Sequence, residues 1–358
     1  MAFVNTKEVV IKSRNASFPI DLVYLWVDGN DPIWHAKKEK YMKKAGLLHE
    51  DAKTDARFRD NDELKYSLRS VEMFVPWINH IYIVTDGQVP KWLNKKHPKI
   101  SVIDHKKIIP ADALPTFNTC AITSCIDNIP NLCEHFLLSP DDCFFGRRRN
   151  PRDFFDADGM PINVVKIGRA KKIWTDEDFV KAAKAKKGIY GQKISLIRKL
   201  VHDKTGKKYH CWPSHNLEPY RKSHFTETKN TFPKEFRSTI YNRFRQPSDI
   251  MNPMPIIYNN ALGRNTLVLH EYYGKKPEVY EAGDSQGLNK KSLLRFIRKI
   301  FFKPRYLTLD GRRIISTILK HNPALFCVND ASANDDRVLQ ENMKFFESYF
   351  PKKSKFEL

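Results

Sequence analysis

Two adjacent carboxylates, Asp141 and Asp142, stand in the stretch FLLSPDDCFFG, directly after an apolar run. Like charges sharing one place repel, so a pair at the mouth of a buried strand calls for a cation or a hydroxyl-rich ligand beside it. Taken alone, the pair also fits a turn with two solvated aspartates. The arrangement recurs, however. WVDGNDP closes one apolar run at Asp28, VTDGQVP closes another at Asp86, and KISVIDH closes a third at Asp104 and His105. In an open α/β sheet, ligands bind in the crevice outside the carboxyl ends of the strands. Gly29 and Gly87 permit tight turns at that level. Four acidic strand ends therefore point to a metal or sugar site at Asp141 and Asp142 within a shared cleft.

The elements that must hold these residues follow from periodicity. IDLVYLWV (20–27), HIYIVT (80–85), KISVI (99–103) and HFLLS (135–139) are nearly unbroken apolar, β-branched and aromatic runs. Such runs suit strands buried on both faces of a parallel sheet. Between the first two, Leu64, Leu68, Val71 and Val75 recur at helical spacing, with Asp60 and Glu63 placed as a capping box. TCAITSCIDNI (119–129) is expected to be a second crossover helix, and another helix is expected after Pro233. DDRVLQENMKFFESYFP near the end reads as an amphipathic helix packed back onto the core. The predicted organisation is an N-terminal extension (1–19), an α/β core (20–150), a basic insertion or lid (151–209) and a largely helical remainder (210–358).

The chain has 358 residues and 41% hydrophobic residues, enough for one elaborated domain or two smaller ones. No run of about 18 apolar residues occurs, and the first residues lack a signal-peptide core, so the expected location is cytoplasmic. The six cysteines show no zinc-like spacing and read as reduced, mostly buried thiols. The net charge of +21 is concentrated. Residues 166–208 hold 14 Lys and Arg against 4 acids, and residues 286–320 hold 10 against one. This distribution predicts a polyanionic partner or an anionic surface. The basic amphipathic segment KKSLLRFIRKIFF (290–302) suits a membrane face or ordinary packing on the domain. No RNA-binding or helix-turn-helix signature occurs, so specific nucleic-acid recognition is not expected.

With these residues in view, IDLVYLWVDGNDP, RFRDNDELKYSLRSVEMFVPWINHIYIVTDGQVPKWL, LPTFNTCAI and FLLSPDDCFFG resemble the Stealth family of hexose-1-phosphoryltransferases. His215, FPKEF (232–236) and RFRQPSD (243–249) resemble its third conserved region. FCVNDASANDD (326–336) and FFESYFPKKSKFEL resemble its fourth. One departure is Pro140, where the family usually carries Asn before the acidic pair. The expected fold class is α/β: a Rossmann-like, mostly parallel, glycosyltransferase-A-like sheet with basic helical insertions and a C-terminal helical part folding back on the core.

The resemblance implies transfer of a sugar together with its phosphate: an acceptor hydroxyl attacks the β-phosphorus of a UDP-sugar, such as UDP-GlcNAc, and UMP leaves. It implies Mg2+ or Mn2+ held by Asp142 and Asp141, completed by Asn329 or Asp330. His215 is then the expected general base and Arg245 the phosphate clamp, with Asp28 and Asp142 as further catalytic residues. Donor contacts are expected from Trp26, Asp28, Gly29, Asn61, Arg69, Asp86, Thr116 and Asn118, whereas Phe117 is expected in the core. The acceptor would be a sugar-phosphate polymer or oligosaccharide of a bacterial capsule, with the enzyme at the inner membrane face beside export machinery. A conventional metal-dependent glycosyltransferase releasing UDP is the competing expectation, and a basic nucleic-acid-binding protein a remoter one.

Overall fold

In the computed structural model, the described residues are 17–45, 57–167, 172–185, 188–209, 211–213, 216–269, 279–282, 318–319, 323–328 and 336–358. The chain runs β1 (Ile20–Leu25), α1 (Pro32–Lys44), α2 (Glu63–Phe74), β2 (Ile81–Thr85), β3 (Ile100–Asp104), α3 (Thr119–Thr123), β4 (His135–Pro140) and β5 (Cys143–Phe145). It continues through β6 (Ile162–Ile167), α4 (Asp176–Lys184), α5 (Ile189–Thr205), β7 (Cys211–Pro213), β8 (Glu218–Arg221), α6 (Lys222–Thr231), α7 (Pro233–Tyr241) and α8 (Pro253–Ala261). Last come β9 (Thr266–Leu269), β10 (Val279–Ala282), β11 (Leu325–Val328) and α9 (Asp336–Tyr349).

The main sheet has the order β3-β2-β1-β4-β8. Its first four strands are parallel, and β8 closes the edge antiparallel to β4. Alternation along β1 divides the core. Leu22 and Tyr24 join Ile81, Ile83, Leu64, Leu68 and Val71 on the face covered by α2. Val23 joins Tyr82, Val84, Phe136, Leu138 and residues of α5 and α8 on the other face. Both faces are covered, as the unbroken apolar runs require. The α/β, mostly parallel class read from the sequence is therefore the observed one.

Two local expectations differ. The helix expected over 119–129 stops at Thr123 and is followed only by a 3-10 turn at Ile126–Asn128. The Thr123 and Ser124 hydroxyls both bond back to the Cys120 carbonyl, offering the backbone an alternative to further helix. The capping box of Asp60 and Glu63 does not form. Helix α2 begins at Glu63, Asp62 before it is left-handed at φ 62°, and no side chain caps the turn. The segment 151–209, read as a basic insertion or lid, is built into the core at two places. Its helix α5 buries Ile197 and Val201 in the main core, while β6 forms a small sheet with β7 and β9.

A third sheet, β10-β11-β5, brings the C-terminal part back to the acidic turn. Phe144 of β5 stacks on Phe326 of β11 and on Phe346 of α9, at 5.2 and 4.6 Å between ring centroids. Phe345, Phe346 and Phe350 are all buried there, so the predicted return of the last helix is observed.

Candidate active site at the carboxyl edge of the sheet

The acidic turn is braced from three sides. Strand β4 ends at Pro140, Asp141 and Asp142 form the turn, and β5 departs at Cys143. Two serines of α2 hold β5: Ser67 donates to the Cys143 carbonyl at 2.6 Å, and the Phe145 N–H donates to Ser70 at 3.0 Å. Tyr24 of β1 bonds Ser67 in turn at 2.7 Å. From the third side, the Val328 N–H at the end of β11 donates to the Asp142 carbonyl at 3.0 Å. The turn cannot drift without breaking buried hydrogen bonds.

The carboxylates gathered here raise one another's proton affinity. Loss of hydration, then Asp142, Glu63 and Asp60, raise Asp141 well above the ordinary carboxylate range. Burial, followed by the Asp62 and Asp28 charges, pushes Asp60 up to about 6, offset in part by the Trp26 indole and the Asp62 N–H. Glu63 is pushed up to about 7, chiefly by burial, although Asn61 donates to it from both backbone and side chain at 2.7 and 2.8 Å. Sequence reasoning treated Asp60 and Glu63 as helix-capping residues; the run RDNDEL, with three acids among six residues, carried the signal that they belong to the acidic cluster.

A hard divalent cation fits this donor set. Magnesium takes oxygen ligands and commonly needs only one or two carboxylates besides substrate phosphates. Asp141 and Asp142 offer those, and a cation there would relieve the mutual repulsion that raises Asp141. Asn329 and Asp330, the expected completing ligands, lie outside the described residues, as does His215.

An aromatic hub collects the remaining motifs. Phe117 stacks on Phe244 at 5.1 Å and meets Trp34 edge-on at 5.5 Å, and Trp34 packs on Phe58. Each ring neighbours a motif: Phe58 leads to Asp60, Phe117 lies between Thr116 and Asn118, and Phe244 precedes Arg245. Phe117 is thus core packing, as expected. Gly29 is fixed by the same hub. Its N–H donates to the Phe58 carbonyl at 2.6 Å, and a Cβ would fall 2.3 Å from that oxygen. Asp28 is held beside it, its backbone exchanging hydrogen bonds with Gln88 at 3.1 and 2.9 Å. Its carboxylate accepts from the Asn30 N–H.

Several expected donor contacts are engaged within the protein. Arg69 makes a bidentate pair with Glu357 at 2.9 and 2.7 Å and donates to the Phe350 carbonyl at 2.8 Å. These bonds tie α2 to the C-terminal segment. Asn118 is fully buried, caps α3 and donates to Asn242 and Asp249. Thr116 is 2% exposed, so neither residue presents itself to a sugar. Asp86 pairs with Lys37. Trp26 is 6% exposed and packs in the core, with one edge toward Asp60. Arg245 remains part-buried beside α3, donating to Thr119. A cleft of about 620 Å³ opens beside Asp60, Asn61 and Asp62, walled by Leu339, Gln340, Met343, Lys344 and Glu347 of α9.

Stealth conserved region 1 matches residues 18–46, region 2 residues 57–163 and region 4 residues 316–358. A capsular polysaccharide phosphotransferase of Haemophilus influenzae is 30% identical over 97% of this chain and 88% of its own length. The chain belongs to the Stealth family. An exopolysaccharide phosphotransferase of Streptomyces coelicolor is 33% identical over 96% of the chain, which spans 53% of that protein. A solved galactosyltransferase complex aligns over 92% of the chain and 95% of its own at 8% identity, with a TM-score of 0.39. The Stealth regions carry the acidic turn, the WVDG loop and the returning C-terminal part. Among the described residues no helix is long and apolar enough to cross a membrane.

Proposed function

We propose that this Stealth protein transfers a hexose-1-phosphate, in the first instance an N-acetylhexosamine-1-phosphate, from a UDP-sugar to a sugar hydroxyl during capsule or exopolysaccharide assembly. The observation that carries this reading is the acidic turn at the carboxyl edge of a parallel sheet, where burial and the Asp142, Glu63 and Asp60 charges raise Asp141, in a chain similar to two polysaccharide phosphotransferases. Carboxylates held together against their own repulsion suit a site completed by magnesium and a diphosphate.

In this reading Asp142 and Asp141 hold Mg2+, which when bound supplies positive charge to the non-bridging oxygens of the donor diphosphate. Asp28 and its loop meet the nucleotide end. Arg245 clamps the transferred phosphate in the bidentate manner of a guanidinium. His215 accepts the proton of the acceptor hydroxyl as that oxygen bonds to the β-phosphorus and the bond to UMP breaks. The acceptor, a sugar-phosphate chain, enters along the cleft between α2 and α9, whose volume suits one or two sugar units. The basic segments hold the polymer and place the enzyme at the inner membrane face near export machinery.

The nucleotide released tests this. Protein, magnesium, UDP-hexoses and a short sugar-phosphate primer should yield UMP and a phosphodiester product, both lost in Asp142→Ala and His215→Ala. Release of UDP would instead mean attack at the anomeric carbon and would refute the phosphoryl route.

A further inference from the structure

Cys143 and Cys327 face each other across the β5–β11 ladder. The Gly146 N–H donates to Ala324 and the Val328 N–H donates to Asp142, each at 3.0 Å. In an antiparallel pair, directly opposite residues alternate between hydrogen-bonded and non-hydrogen-bonded sites. The pairs 146/324 and 142/328 are hydrogen-bonded, so 143/327 is a non-hydrogen-bonded pair, where facing side chains lie closest. Both cysteines are buried, at 5% and 1% exposure. The Cys327 thiol is hydrogen-bonded to both Cys143 and Asp142. The two sulfurs and an Asp142 oxygen lie within 4.8 Å of one another, the one such group of three His, Cys, Asp or Glu side chains among the described residues.

We propose that Cys143, Cys327 and Asp142 form a binding site for a thiophilic divalent cation of the zinc or cadmium class. Two thiolates and one carboxylate are a zinc-type donor set, and magnesium would reject the sulfurs. Tetrahedral coordination at a Zn–S distance of about 2.3 Å places two sulfurs about 3.8 Å apart, so the observed group needs to contract by only about 1 Å. The rigid ladder supplies the preorganisation, since the strand register brings both sulfurs to one face. Three protein ligands leave a fourth position for water or a substrate oxygen. Asp142 belongs both to this set and to the proposed magnesium set, so a soft cation bound here withdraws the carboxylate from magnesium. The site itself goes beyond the transfer reading and does not depend on it.

The test uses the full chain, reduced and metal-free, titrated with Cd2+ while the ultraviolet thiolate-to-cadmium charge-transfer band is followed. The band should saturate at about one ion per chain, survive in Cys120→Ser, and fall to background in Cys143→Ser and in Cys327→Ser. Asp142→Asn should weaken binding about tenfold or more. Excess Zn2+ should abolish the band, and millimolar Mg2+ should shift the midpoint without abolishing it. Cys143→Ala and Cys327→Ala serve where a buried serine costs folding, with the thermal transition measured alongside. A band that persists in folded Cys143 and Cys327 variants, or no band in the reduced wild-type chain, overturns the proposal. The readout needs no sugar nucleotide, so failure here leaves the transfer reading intact, and failure to release UMP leaves this site intact.

Discussion

Asp249 and Asp141 are two carboxylates whose surroundings are opposites. Asp249 is 0% exposed and receives Asn118 at 2.9 Å, Asn242 at 2.8 Å, the Gln246 N–H at 2.8 Å and the Lys193 ammonium at 3.2 Å. Its charge is answered entirely by the chain. Asp141 is surrounded by Asp142, Glu63 and Asp60, whose charges add to the cost of its own desolvation. A fold under selection for stability alone would resolve the second case as it resolved the first. That it does not is what the proposed cation would answer. The Asp249 network also explains why RFRQPSD is more than a basic loop: the aspartate pins the backbone on which Arg245 is carried past α3.

The contrast can be broken most forcefully at Asp249. Replacing it by Ala leaves Lys193 buried, at 3% side-chain exposure, with its carboxylate partner removed. Removing one member of a buried pair costs about 3–5 kcal/mol. Asp249→Ala should lower the unfolding free energy measured in urea by that amount, with activity falling only as the folded fraction falls.

At the other pole, Asp142→Asn should do the reverse. Removing a charge from a repelling cluster should leave stability unchanged or slightly raised, while turnover falls about 10²–10³-fold, the usual scale for losing one electrostatic stabiliser of a transition state. Chelation of divalent cations should abolish the same activity, and added Mg2+ should restore it in the wild type. A stability loss in Asp142→Asn comparable with that in Asp249→Ala would erase the distinction between the two sites.

Glu63 sharpens the comparison through pH. Its carboxyl, pushed up to about 7 by burial, binds more protons in the folded than in the unfolded chain between about pH 4.5 and 7. Wild-type stability relative to Glu63→Gln should therefore be greatest below that window and decline as pH rises through it, by up to about 3 kcal/mol in metal-free protein. Saturating Mg2+ should shrink the decline. Urea unfolding of both proteins across the window, with and without Mg2+, measures it; a flat difference would mean that Glu63 does not feel the cluster.

Much of this architecture was legible in the residues themselves. The four strands, their parallel order of burial and the aspartates at their ends follow from short-range pattern, because a buried parallel strand must be apolar throughout and its ligand-side end must not. The returning helix α9 was legible for a similar reason, its apolar stripe demanding a partner. Long-range pairing is where reading failed. Nothing near Arg69 tells a phosphate-facing arginine from one whose partner, Glu357, is 288 residues away. Asn118 carries the polar amide of a sugar contact, yet that amide caps a short helix and answers Asp249. Cys143 and Cys327 acquire a meaning only once β5 and β11 are paired in register.

Arg69 supplies the finest test, because it separates a structural guanidinium from a substrate-binding one. Its side chain is 12% exposed and Glu357 is 3% exposed, and three hydrogen bonds join α2 to the C-terminal segment. Charge-assisted bonds of this kind contribute about 1.5–3 kcal/mol, so Arg69→Ala should destabilise the protein by about that much. Amide exchange should accelerate in residues 350–358 first, while KM for the sugar nucleotide stays within about twofold of wild type. Arg69→Lys should recover only part of the stability, since an ammonium cannot reproduce the fork that meets both oxygens of Glu357. A large rise in KM with unchanged stability would return Arg69 to the donor site and place a second cation opposite the acidic turn, narrowing the difference between Asp141 and Asp249 on which the assignment rests.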